Sequence, residues 1–288
     1  MTALEHDLIR LTQDHPARSF QTQRDRQSTL LLIARQLDEL GWRQLRAYEL
    51  MPRHDRKLVA LWKEQGIKTG TILNRLAALR WWARQVNRRW VLPASNAVYG
   101  LEKRSTVATV SKAQHLTDVQ LGAITDPHVQ MSVKVQQAFG LRRKECLMLR
   151  PHEADKGHYL ELQDSWTKGK RPRIVPILTT EQRQVLDEAK ALVQPGESLI
   201  PPDRDFRQGK NRYTHYTTQA GLHNLHGVRH GYAQERFEAL AGYPAPVAEG
   251  PPRKAMTPTE RAEDTDVRQK VSIELGHTRV GITATYTG

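Results

Sequence analysis

LGHTRVGITATYTG, residues 275–288, sets a Gly-His pair nine residues ahead of a tyrosine, Tyr286. Alone, a tyrosine near a terminus is an ordinary surface or half-packed aromatic, because chain ends fray and seldom carry chemistry. Upstream, other residues suited to a phosphate recur in a fixed order. GLRRKE (140–145) offers Arg142 and, one turn on, Glu145. TKGK (167–170) offers Lys168 on a Gly-containing turn, with Lys170 as its competitor. HGVRH (226–230) puts His226 and Arg229 three apart, on one helix face. The chain order is therefore Arg, Lys, His-x-x-Arg, His, Tyr.

Composition points the same way. The 288 residues hold 44 Lys and Arg against 31 Asp and Glu, a formal charge of +13. Such an excess suits a polyanionic partner such as nucleic acid or an acidic membrane surface. It is uneven: residues 51–110 carry 12 basic and 3 acidic side chains, residues 111–288 carry 25 and 21. Two domains with different tasks are expected. Cys146 is the single cysteine, which excludes an intrachain disulfide and a cysteine zinc site. No His-x-x-x-His pair with a carboxylate suggests a metal. The start of the chain lacks a secretory pattern, and the longest strongly apolar run, Leu30–Ala34, is far too short for a bilayer. A cytoplasmic protein with no membrane partner is expected.

Periodicity predicts helices over about 28–40, 54–65 and 71–89. The last sets Ile72, Leu76 and Leu79 on one face and Arg75, Arg84 and Arg88 away from it, a candidate DNA-binding surface. The polar residues 1–25 read as an N-terminal arm, 26–103 as a helical bundle and 104–115 as a linker. The catalytic domain is expected over 116–288, with Thr117 capping its first helix. Helical character runs through 129–150. HYLELQ and RPRIVPI alternate around DSWTKGK, which predicts a β-hairpin. Helix returns at 180–193, 225–240 and 261–277. Residues 241–259 hold five prolines and two glycines and read as a surface excursion. The fold class is mainly α with a small antiparallel sheet.

GLRRKE, TKGKRPRIVPI, HGVRH and LGHTRVGITATYTG together resemble the tyrosine recombinases of the phage integrase family. The resemblance covers 116–288 by motif; the basic helical segment before it matches that family's core-binding domain by position only. It implies a site-specific DNA recombinase that integrates or excises a mobile element through a 3′-phosphotyrosine, without metal or ATP. A phenol, with a free pKa of about 10, must be positioned and relieved of its proton, the role implied for Tyr286. Arg142 and Arg229 would clamp the non-bridging oxygens of the phosphate. Lys168 would protonate the departing 5′-oxygen. His226 would help with the phenolic proton or hold the phosphate, and His277 would donate a further hydrogen bond. Glu145 and His230 would support these groups. Arg143 and Arg150 compete with Arg142 for the first arginine role.

The implied partners are double-stranded attachment sites, a homotetramer on DNA and accessory DNA-bending proteins, in a protein bound to the nucleoid. Two features depart from the family. The stretch from His226 to His277 is long, and very little follows Tyr286, whereas the family's tails usually couple neighbouring protomers. The insertion or the N-terminal segment is expected to take over that coupling, and Tyr286 is expected to be mobile until DNA binds. Rival expectations are a silent DNA-binding protein of the same fold and a type IB topoisomerase-like relaxing enzyme.

Overall fold

The Thr2 hydroxyl accepts from the Glu5 amide at 3.2 Å, and the Glu5 carboxylate accepts from the Thr2 amide at 2.8 Å. This reciprocal cap satisfies two orphan amides and starts helix α1, Ala3–Asp14. Ser19 caps α2, Phe20–Glu39; Pro52 opens α3, Pro52–Glu64; α4 is Thr69–Gln85. The structure, a computed structural model, describes residues 1–102, 105–167 and 169–288. It divides into two compact units, Met1–Ser105 and Thr106–Gly288.

In the first unit Leu30, Ile33, Leu37, Leu58, Leu76 and Leu79 are fully buried. Trp62 and Trp82 lie among them, and each finds a partner for its indole N–H: Gln36 Oε1 and the Ala47 carbonyl, both at 2.8 Å. The expected arm is corrected here. Residues 1–25 contain α1 and the start of α2, and Leu4 and Leu8 are part of the bundle core. Two leucines among charged neighbours gave only a faint stripe, so α1 was not foreseen.

The second unit begins with α5, Asp118–Gly122, capped by Thr117 as expected. There follow α6 (Pro127–Ala138), α7 (Arg143–Met148) and α8 (Pro151–Ala154). The hairpin pairs β1, Tyr159–Leu162, with β2, Arg173–Pro176, antiparallel, setting Leu162 opposite Arg173. Then come α9 (Thr180–Leu192), α10 (Phe206–Gln219), α11 (His226–Ala241), α12 (Pro258–Glu274) and α13 (Ala284–Thr287). A mainly helical chain with one small antiparallel sheet is the fold class the sequence implied. Among the described residues no helix is long and apolar enough to cross a membrane.

Three expectations change. The helix expected through 129–150 breaks at Gly140, whose φ is +58°. A Cβ there would sit 2.4 Å from the Tyr232 ring, so glycine is required by both backbone and space. Helix α10 was missed because its buried positions, Gly209, Tyr213 and Thr217, form a small and polar stripe rather than an apolar one. Residues 241–259 are not wholly a surface excursion: Ala245 is buried in the core, and Phe237 meets Tyr243 edge to face at 5.8 Å.

The expected linker also differs. Lys103 and Arg104 lie outside the described residues, but Thr106–His115 lies along α11 as a strap. The Gln114 amide donates to the Gly227 carbonyl at 3.0 Å. A Cβ on Gly227 would meet the Gln114 side chain at 2.6 Å, and one on Gly231 would meet the Gln114 carbonyl at 2.8 Å. These two glycines, one helical turn apart, form the groove in which the strap sits. Gly231→Val is expected to lift it: amide exchange across 106–115 should accelerate at least about tenfold, since a close-packed contact does not absorb added methyls without backbone movement. Unchanged exchange would show that the groove is not what holds the strap.

Candidate active site

The break at Gly140 leaves Arg142 as the extended N-cap of α7 rather than a residue inside a helix. Its amide donates to Glu145 Oε2 and its Nη1 to Glu145 Oε1, both at 2.7 Å. Arg143 and Arg150 are exposed, and Arg150 pairs instead with Glu153 at 3.1 Å. Glu145 has no exposed surface. Burial alone would raise its pKa, yet Arg173, Arg142 and Arg229 together hold it down at about 2. Arg173, on β2, grips it through both nitrogens, Nη1 to Oε1 at 2.7 Å and Nη2 to Oε2 at 2.8 Å.

Arg229, on α11, is completely buried. Its Nη1 donates to the Gly140 carbonyl and its Nη2 to the Leu275 carbonyl. Nη2 also faces His277 Nε2 at 3.4 Å, and Nε faces the Tyr286 hydroxyl at 3.4 Å. Burial and the neighbouring Arg142 lower its pKa to about 10, so it stays charged at neutral pH. It thus joins the Gly140 break, the turn after α12 and the tyrosine at one guanidinium.

Tyr286 is 5% exposed and ringed by imidazoles, with centroids at 4.6 Å from His230, 5.6 Å from His277 and 6.1 Å from His226. All three histidines are pushed toward the neutral form. Burial comes first in each. Arg229, Arg142 and Arg173 add to it at His277, bringing it to about 3. His226, Lys112 and Arg229 add at His230, bringing it to about 4. His226 opens the helix at the outer edge of the cluster, and loss of solvent around its ring, with Arg229 and Arg142 beyond, lowers its pKa too.

Tyr286 was expected to be mobile; it is docked instead. Its carbonyl accepts from Gln234 Nε2 at 2.9 Å. The Ala108 amide of the strap donates to the Ala284 carbonyl at 2.8 Å, and Thr285 Oγ1 donates to the Thr106 carbonyl at 3.0 Å. Buried Arg268 reaches Thr287 Oγ1 and the Gly288 carbonyl, both at 2.7 Å. A helix of one turn has little stability of its own, so these tethers fix the phenol.

Arg142, Glu145, His226, Arg229, His230, His277 and Tyr286 therefore meet in one cluster. Lys168 lies outside the described residues; Lys170 is exposed, with φ +52°, in the hairpin turn. Trp166, buried in the core, and Lys144, bonded to the Ser165 carbonyl at 2.8 Å, anchor the start of that turn. The sequence reading missed Arg173. Its signal was an arginine in phase with Val175 on the inward face of a two-residue alternation. It also missed the strap, Gln234 and Arg268.

The three arginines of the first unit separate. Arg84 is exposed on α4. Arg75 stacks over Trp62 at 5.2 Å with its Nη1 buried, and Arg88 falls beyond the helix, over Trp90 at 6.0 Å. Arg75 is thus partly a packing residue, a role that a helix-face projection does not separate from solvent exposure.

The neutral histidines make stability depend on pH. In the unfolded chain they take protons near pH 6.5, whereas His230 and His277 in the fold resist them down to about 4 and 3. Their contribution is therefore complete above about pH 6.5 and is lost as pH falls through about 4 for His230 and about 3 for His277. The urea midpoint should drop across that window. His230→Gln with His277→Gln should flatten the decline; an unaltered slope would show that these rings are not its source.

The N-terminal part of the chain, residues 1–91, matches the family model described as phage integrase, N-terminal, and residues 100–235 match the model described as integrase. No curated protein matches. Among solved structures, the lambda integrase dimer bound to a COC′ core site is 15% identical, with a TM-score of 0.60 over 97% of this chain and 96% of that one. A lambda integrase tetramer bound to a Holliday junction gives 14%, 0.61, 99% and 77%. The Tn1549 transposon integrase in complex with circular intermediate DNA gives 13%, 0.57, 100% and 96%. At such identities the likeness is one of fold. With the integrase models matched in both halves and that fold throughout, the chain belongs to the phage integrase family of tyrosine recombinases and is a site-specific DNA recombinase.

Proposed function

We propose that Tyr286 is the nucleophile of strand cleavage and that Arg142 and Arg229 bind the scissile phosphate. The observation that carries this reading is the meeting of the Tyr286 hydroxyl with Arg229 Nε at 3.4 Å inside a ring of three neutral imidazoles. The phenolic oxygen attacks phosphorus, the bond to the 5′-oxygen breaks, and a 3′-phosphotyrosine forms. His226 takes the phenolic proton, a task open to an imidazole that is neutral at rest. Lys168 supplies a proton to the 5′-oxygen. His277 and the two arginines face the charge that builds on the non-bridging oxygens. Rejoining runs the same steps backward with a different 5′-hydroxyl, so the energy of the bond is conserved.

Arg142 has Nε and Nη2 free of other partners among the described residues and is partly exposed, which suits it to first contact with an incoming phosphate. Arg229 has five N–H groups, and those toward Tyr286 and His277 are held at the long distance of 3.4 Å. They are cheap to exchange for a charged oxygen. The substrate is duplex DNA at attachment sites of a mobile element, and Arg84 and Arg88 add phosphate contacts outside the reacting centre. Exchange takes place in a tetramer, with accessory DNA-bending proteins assisting.

Covalent trapping tests the reading. The protein is incubated with nicked duplexes drawn from the flanks of its own gene and resolved on a denaturing gel. A protein–DNA adduct is expected for the wild type and lost in Tyr286→Phe, and Arg229→Ala should slow its formation at least about 100-fold. Salt-sensitive retention of the same DNA by wild type and Tyr286→Phe alike, with no adduct from either, would make the chain a binding protein instead. An adduct formed equally on every sequence would favour a relaxing topoisomerase.

A further inference from the structure

We propose that Arg173 is a positioning residue for strand cleavage: it occupies Glu145 so that Arg142 and Arg229 remain available to the scissile phosphate. This rests on the reading of those two arginines as the phosphate clamp.

A carboxylate has about four acceptor sites, and in Glu145 all four are filled. Oε1 takes Nη1 of Arg142 and Nη1 of Arg173; Oε2 takes the Arg142 amide and Nη2 of Arg173. Half of that satisfaction comes from the Arg173 fork. Without it, two lone pairs of a buried carboxylate would be open, and the nearest cations are the two proposed phosphate ligands. Arg142 already touches Glu145, and Arg229 Nη1 stands only 4.0 Å from Oε2. An uncompensated buried charge draws on whatever partners it can reach, so the clamp would fold inward on Glu145.

Arg173 also bears on the third wall of the site. Gly276 has φ +68°, and a Cβ there would lie 2.9 Å from Arg173 Cδ, 3.1 Å from its Nη1 and 3.6 Å from Arg142 Nη1. The glycine of the Gly-His pair is thus bare because its backbone is left-handed and a side chain there would press on Arg173, while Arg142 lies at ordinary contact distance. One side chain on β2 therefore sets the position of Arg142 through Glu145 and of His277 through its neighbour. Arg173 is itself buried, with 4% of its side chain exposed. A cavity of about 470 Å³, lined by Arg173, Gly276, His277, Ile174 and Ile273, opens beside it.

The test uses the full chain and a duplex that the wild type cleaves in the trapping assay. Arg173→Ala should form the adduct about 100-fold more slowly at saturating DNA, the size expected from sub-ångström misplacement, with little change in the DNA concentration giving half-maximal rate. Added guanidinium chloride, at concentrations that leave the wild-type rate unchanged, should enter the vacated cavity and restore at least about tenfold of the loss, whereas methylammonium should not. The double variant Arg173→Ala with Glu145→Gln should be no slower than the slower single variant, because both changes act through one carboxylate. Arg173→Lys keeps the charge but cannot fork, and it serves if the alanine variant does not fold; about tenfold slowing is expected.

A wild-type rate in Arg173→Ala or Arg173→Lys overturns the proposal, as does a loss that guanidinium does not rescue and that adds fully to Glu145→Gln. Those outcomes leave the phosphate-clamp reading standing. Absence of any adduct from the wild type itself would sink that reading, and this proposal with it.

Discussion

A single carboxylate without solvent holds the catalytic unit in its working arrangement. Glu145 lies between Arg142, Arg173 and Arg229, and those residues come from the start of α7, strand β2 and helix α11. Two like charges about 4 Å apart repel by about 4 kcal/mol in a protein-like dielectric, so gathering guanidiniums demands a counter-charge. One carboxylate among three arginines leaves the cluster net positive. That surplus of positive charge is what the proposed phosphate clamp rests on.

Burial sets the state of the bases, and the same charges add to it. With arginines close and solvent thin, the imidazoles of His226, His230 and His277 rest neutral. The tyrosine is prepared differently, by backbone and side-chain tethers rather than by charge. The strap, Gln234 and Arg268 converge on one turn of helix. A side chain on such a short element is as well placed as its tethers allow.

Much of this could be read from the chain before any coordinates. The hairpin, the Thr117 cap and the helices α9 and α11 followed from alternation and periodicity. Arg142, His226, Arg229, His277 and Tyr286 were singled out by residue type and order. Other elements escaped for identifiable reasons. Helix α10 buries Gly209, Tyr213 and Thr217, so no apolar stripe announced it. Helix α1 offered two core leucines among charges. Arg173 sat inside a motif already quoted, but an arginine in a strand reads as solvent-facing until its pairing phase is known.

What the sequence determined by itself is the order of residue types, with arginine, lysine, histidine and tyrosine set along the chain in family motifs, and the local patterns that make helices and a hairpin. Those depend on residue type and on neighbours a few positions away. The tertiary structure alone decided which groups share a carboxylate, that Arg173 joins Arg142 on Glu145, and that residues 106–115 lie in the groove of Gly227 and Gly231 and fasten the tyrosine. These contacts join positions from 28 to 179 residues apart. No local pattern encodes them, because they exist only once separate elements have packed and buried charges have found their partners.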